Sequence, residues 1–158
     1  MYLNLPRQHG LTIIEALVAL LVVSVGLLGI AGLQLVSMKQ NSSALQHSQA
    51  VWAGYSMADR IRSNVVSFAD YTDIDTDLSY SQDCNSGPCS NNQLVTADAA
   101  EWTTRVQTLP GGRGTVTGNA NRLVVTVMWD DEGTGATGTN CSGDAQVDLT
   151  CYSITLIQ

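Results

Sequence analysis

Residues 11–38 read LTIIEALVALLVVSVGLLGIAGLQLVSM, and the class of the whole chain turns on them. Glu15 is the only charge in this stretch, and 23 residues from Ala16 to Met38 carry none. As a helix rising about 1.5 Å per residue, that run spans about 35 Å, enough for a bilayer hydrocarbon core of about 30 Å. A cleaved secretory signal has an apolar core of roughly 7–15 residues. The run is therefore too long for one, and Glu15 is out of place at its start, although Ser42-Ser43-Ala44 supplies small residues downstream. A plain membrane anchor accounts for the length. Arg7 in front places the N-terminus on the cytoplasmic side by the positive-inside tendency, and Lys39 behind weakens that bias. Neither reading accounts for Glu15.

A carboxylate at the margin of an apolar helix is costly, and such groups are normally functional and paired. The nearest positive group on the short segment before it is Arg7. A cut between Gly10 and Leu11 would free an α-amino group at the start of the apolar helix. That ammonium could pair with a Glu15 carboxylate on a neighbouring chain, or with its own, one helical turn away.

The segment Arg7-Gln8-His9-Gly10-Leu11-Thr12-Ile13-Ile14-Glu15 resembles the processing site of type IV prepilins. The resemblance implies cleavage after Gly10 by the prepilin peptidase, N-methylation of Leu11 and an assembly role for Glu15. The family usually places Phe where this chain has Leu11. The resemblance also implies an α+β type IV pilin fold, in which a long N-terminal helix packs on a small antiparallel sheet.

The chain's charge is divided as sharply as its hydropathy. Residues 67–158 hold twelve acids and three arginines, within a total of −7 for 158 residues. Nucleic-acid affinity is built largely by Lys and Arg displacing counterions, so such a head disfavours a nucleic-acid partner. Four cysteines, Cys84, Cys89, Cys141 and Cys151, all lie beyond the apolar run. Behind an export signal they read as two disulfides, with three pairings open. Closeness in sequence favours Cys84–Cys89 and Cys141–Cys151.

These shifts divide the chain into a leader at 1–10, a membrane or filament-core segment at 11–38, a periplasmic amphipathic helix at 39–66 and an acidic head at 67–158. Val51, Tyr55, Ala58, Ile61, Val65 and Phe68 recur every three or four residues, predicting one apolar stripe and a helix to about Asn64. Gly26, Gly29 and Gly32 fall near one helical face, where small residues permit close helix approach, although glycine is common in membrane helices anyway. Beyond Phe68, Asp70 to Asn92 reads as a loop. Residues 98–107 read as a short helix capped by Asp98 with Trp102 buried. Thr115 to Thr117, Leu123 to Trp129 and Asp148 to Ile157 read as strands.

The stretches 26–34, 57–64, 109–113 and 125–131 are similar to the PilV-type minor pilins. That similarity implies a subunit that primes or tips a type IV pilus, serving adhesion and twitching motility. Its implied partners are other minor pilins and the major pilin through the N-terminal helix, the prepilin peptidase, a tip adhesin and inner-membrane lipid. The implied location is a single-pass inner-membrane protein with a periplasmic head, later in the extracellular pilus. Alternatives are a minor pseudopilin of a type II secretion system and a surface-adhesive tip module.

No catalytic set is expected, and neither cofactor nor metal. His9 falls in the leader, and His47 reads as a solvated histidine without an oriented partner. Asp73, Asp75 and Asp77 have the spacing of a calcium loop, but Leu78 and Cys84 stand where it needs Gly and Glu. Asp130-Asp131-Glu132 reads as a solvated acidic loop, and Asp59 with Arg62 as an exposed helix pair.

Overall fold

The computed structural model describes residues 12–84 and 86–158. Gly10 and Leu11, with Arg7 and His9, lie outside the described residues. The elements in chain order are α1 (Ile13–Ser63), a 3-10 segment (Val65–Tyr71), β1 (Ile74–Asp75), α2 (Asn91–Val106), β2 (Arg113–Asn119), β3 (Arg122–Trp129) and β4 (Thr150–Ile157). By backbone proximity the chain forms two compact units, residues up to Asn41 and residues Ser42–Gln158.

In the first unit α1 buries nothing within the chain. Sixteen large apolar side chains from Ile13 to Met38 are exposed. The helix is long and apolar enough to cross a membrane. Apolar surface on this scale is stable only against lipid or protein. Gly26, Gly29 and Gly32 have nothing within 4 Å of where a Cβ would stand, so no contact inside the chain explains them.

The second unit is a four-stranded antiparallel sheet in the order β1-β2-β3-β4, packed against the later part of α1 and against α2. The chain is thus α+β, as expected. Tight reversal between β2 and β3 is fixed by Asn119, whose side-chain oxygen accepts from the backbone N–H groups of Asn121 and Arg122. The helix stripe differs in phase from the expected one. Buried on α1 are Ala50, Ala53, Gly54, Met57, Ala58 and Ile61, while Val51 is only partly buried and Tyr55 and Val65 are exposed. Small residues occupy the contact because the sheet comes so close. A Cβ on Gly54 would stand 3.3 Å from the Tyr152 ring and from Ile154. Phe68 is buried, but from the 3-10 segment rather than from α1.

The region after Phe68 is more ordered than a loop. Ile74 and Asp75 pair with Val116 and Thr115 as β1. The second helix starts earlier than expected. Ser90 caps it, accepting from the Gln93 N–H, while the Gln93 side chain accepts from the Ser90 N–H. Such a reciprocal box satisfies two otherwise orphaned helix-end donors. Asp98 is therefore mid-helix and buried, not a cap. Trp102 is buried as expected. Its indole N–H donates to the Ala53 carbonyl at 2.9 Å, and its ring lies over Gly114, where a Cβ would come within 2.5 Å of it.

On β3, Leu123, Val125, Val127 and Trp129 face the core and Val124 and Thr126 do not, so the period of two holds until Met128, which is also buried. Met128 stands opposite Cys151 in the ladder. The fourth strand begins at Thr150; Asp148 instead belongs to the preceding loop, bridged to Gly138.

Cys84 is bonded to Cys89 and Cys141 to Cys151, each with Cα atoms 5.6 Å apart. Loop-closure entropy assigns about 2.7 kcal/mol to the ten-residue closure and about 2 kcal/mol to the five-residue one. The longer closure ties the loop before β4 to that strand.

Candidate functional site

Glu15 stands in the first turn of α1, with its backbone N–H donating to the Thr12 carbonyl at 3.1 Å. Thr12-Ile13-Ile14-Glu15 has the T-x-x-E spacing of a capping box, a local signal that the reading of Glu15 as a pairing carboxylate leaves unused. A carboxylate here also faces the positive end of the helix dipole, typically worth 0.3–1 kcal/mol. The side chain is exposed in the chain taken alone. Glu15 therefore sits at the mouth of an apolar helix with its charge free to meet a group from outside.

The head holds two charged assemblies that no local pattern announces. In the first, Arg60 donates from Nη1 to Asp98 Oδ1 at 2.6 Å and from Nη2 to Glu101. Tyr71 donates its hydroxyl to Asp98 Oδ2 at 2.5 Å, and Asn64 donates to the Asn91 carbonyl at 3.1 Å. Burial works against the Arg60 charge, but the bonds to Asp98 and Glu101 more than reverse it and hold Arg60 above its ordinary value. Burial and then the bond to Asp98 push the Tyr71 hydroxyl well above the usual tyrosine value, so it stays a donor. The group clamps α1, the 3-10 segment and α2 together. Breaking one partner of such a buried set costs more than the set contributes net, because a charge is left unpaired.

In the second, Arg113 on β2 donates to both Asp75 oxygens, at 3.3 Å and 2.7 Å, and lies 3.1 Å from Asp77. Burial raises Asp75, and the Arg113 bonds outweigh this and leave it below its ordinary value. Two of the three acids with calcium-loop spacing are thus committed to an arginine. Asp130 accepts from the N–H groups of Gly135 and Thr134, which hold it below the usual range and shape the loop after β3. Asp131 accepts from the Trp129 indole at 3.1 Å and from the Ser43 hydroxyl at 2.8 Å. These acids are loop organisers rather than merely solvated. Among the described residues no group of three or more His, Cys, Asp or Glu side chains is placed to hold a metal ion.

His47 is on the surface, as expected, with ring contacts that the sequence does not announce. Its ring meets Trp129 edge-on at 5.7 Å and Tyr152 at 6.3 Å. It packs over the rim of the core, and among the described residues no acid bonds to it. Asp59 and Arg62 do form an exposed pair at 2.9 Å. On the same part of α1, Leu45 and Trp52 are exposed beside Arg105 and Thr108.

Residues 32–100 match the family model described as Tt1218-like, type IV pilin Tt1218. Residues 5–31 match the prokaryotic N-terminal methylation motif. The second match takes in Glu15 and the apolar run as far as Ala31, and the first takes in the rest of that run, the packed part of α1, β1 and more than half of α2. Strands β2 to β4 lie beyond both. No curated protein and no solved structure matches the chain.

Proposed function

We propose, from the matches to a type IV pilin model and to the prokaryotic N-terminal methylation motif, that this chain is a minor pilin, cut between Gly10 and Leu11 and built into a pilus by its apolar helix. One observation carries the reading. The described part of α1 up to Met38 buries nothing in the chain and carries a single carboxylate, in its first turn. After cleavage the ammonium of Leu11 would lie next to the helix start, one turn from Glu15. Two unit charges 4 Å apart attract by about 1 kcal/mol in water and by several times that in apolar surroundings. An incoming subunit whose Leu11 amine meets a neighbour's Glu15 is held in register, while lipid-like contacts between the helices supply the bulk of the association.

The leader at 1–10, a periplasmic head and final residence in the pilus follow from that orientation, which the paired cysteines support. The resemblance of 57–64 and 123–131 to PilV-type subunits favours a pilus subunit over a pseudopilin of a secretion system. On that reading the partners are other minor pilins, the major pilin and a tip adhesin. Co-purification with secretion-system components instead of pilus components would move the assignment to a pseudopilin.

Glu15→Ala tests the reading. The variant should still be cut and held in the membrane, and its share of the sheared pilus fraction should fall about tenfold, the effect of losing roughly 1.4 kcal/mol of pairing. Incorporation equal to wild type would contradict the charge-pair account.

A further inference from the structure

We infer that the free edge of β4 is a docking site for an extended segment of a second polypeptide, which adds to the sheet as a fifth strand beside β4. This rests on the chain's being a filament subunit, and it concerns the head rather than the helix.

The strand order leaves β4 with one neighbour, β3. The Gln158 N–H donates to the Asn121 carbonyl, which fixes the phase of the ladder. Gln158, and by the period of two Leu156, Ile154, Tyr152 and Thr150, turn their backbone groups toward β3. Cys151, Ser153, Thr155 and Ile157 must therefore turn theirs outward. Among the described residues neither a strand nor a side chain bonds those outward groups. Solvent can meet such a row group by group, and among protein elements an extended backbone matches its alternation and spacing.

Natural edges are usually blunted by charge, proline, a bulge or short length. This edge has none of these. It is eight residues long and reads Thr-Cys-Tyr-Ser-Ile-Thr-Leu-Ile without a charge or a proline. A groove of about 340 Å³ runs beside its later half, lined by Arg62, Val65, Phe68, Thr155 and Ile157 among others. Ile157 is 79% exposed and Val66 is 86% exposed. A strand laid on β4 would turn every second side chain toward this apolar margin.

Charge selects the occupant. The head carries a large excess of acid, so a second copy of it would be repelled within the screening length of about 8 Å. The partner is a basic extended segment carried by another subunit of the assembly.

The experiment is amide hydrogen exchange of the full-length chain, resolved residue by residue across β4. It is measured in detergent micelles and again in the sheared pilus fraction, with Ser153→Pro and Thr155→Pro alongside. Proline at these outward positions removes a donor without removing a bond to β3. In micelles the outward amides of Cys151, Ser153, Thr155 and Ile157 should exchange fast and the inward ones slowly. In pili the outward amides should slow about tenfold or more. Both proline variants should keep the slow inward amides in micelles and should incorporate at about a tenth of the wild-type level, a loss of about 1.4 kcal/mol. Outward amides equally fast in both samples would overturn the inference while leaving the pilin reading intact. Absence of the wild-type chain from the pilus fraction would instead overturn the pilin reading. Concentration-dependent protection in micelles alone would identify a second copy as the occupant and overturn the proposed partner.

Discussion

The described part of α1 up to Asn41 and the part from Ser42 to Ser63 are one kind of secondary structure in two solvents. The first exposes nearly every apolar side chain it has, and the second buries Ala50, Ala53, Gly54, Met57, Ala58 and Ile61 under a sheet. From Ala16 to Met38 the first is uncharged and names no face, which is how a helix reads when its surroundings are apolar all round. The second shows one face, in which Ala50, Ala53, Gly54 and Ala58 stand beside the larger Met57 and Ile61. The contrast separates what the chain completes by itself from what it leaves to lipid or to other subunits. A helix that finishes its packing internally has its stability set by shape. A helix that does not has its stability set by the company it keeps.

The comparison breaks most sharply at Trp102, which joins α2 to α1 through the Ala53 carbonyl and roofs Gly114. Trp102→Ala should cost the head about 3–5 kcal/mol in denaturant unfolding. Membrane retention should be unchanged. Loss of retention together with head stability would mean that the two parts are one cooperative unit. The converse substitution, Val22→Asp, should cost about 2.5–3.5 kcal/mol of membrane insertion. It is read as a shift of protein from the membrane to the soluble fraction, with the head's thermal midpoint unmoved.

A smaller effect lies in the acid range. Asp75 is held below its ordinary value in the folded head, so its contribution is complete above about pH 4 and is lost as pH falls through the folded value. Arg113→Gln should cost roughly 1 kcal/mol at neutral pH, since the pair is partly exposed. The gap between variant and wild type should close as pH is lowered from about 7 to about 2. A gap independent of pH would mean that Arg113 acts by packing alone. The smallest effect should come from Asp59→Ala. Its exposed pair with Arg62 is worth only about 0.3–0.5 kcal/mol. A loss above about 1 kcal/mol would show that this face is not solvent-facing in the intact protein.

What the sequence made legible follows the same division. An uncharged run of 23 residues needs no tertiary information to read, and neither does the alternation of β3 from Leu123 to Trp129. The cysteines are near neighbours in sequence, and their bonds follow that proximity. The phase of the buried stripe was not legible. Ranking by hydrophobicity points to Val51 and Tyr55, whereas close approach of a sheet selects Ala53 and Gly54. Asp98 misleads for a related reason. A polar residue near an apolar run has the look of a cap, and its partner Arg60 lies 38 positions away. The true cap was readable in Ser90 and Gln93, masked by the asparagines beside them. The ring contacts of the exposed His47 were not legible, because nothing local shows that Trp129 and Tyr152 come beneath it. At the candidate site, Glu15 stands out from its surroundings alone. The outward edge of β4 needs the strand order, which no local pattern encodes.

The account's central claim is that an acid at the mouth of an apolar helix is met by an amine created on purpose, and the first residue of the mature chain tests it most directly. Sequencing and intact mass of the protein recovered from sheared filaments should give N-methylated Leu11 as that residue. A chain beginning at Met1, or one cut downstream so that it begins at Leu45 without its apolar helix, would contradict it.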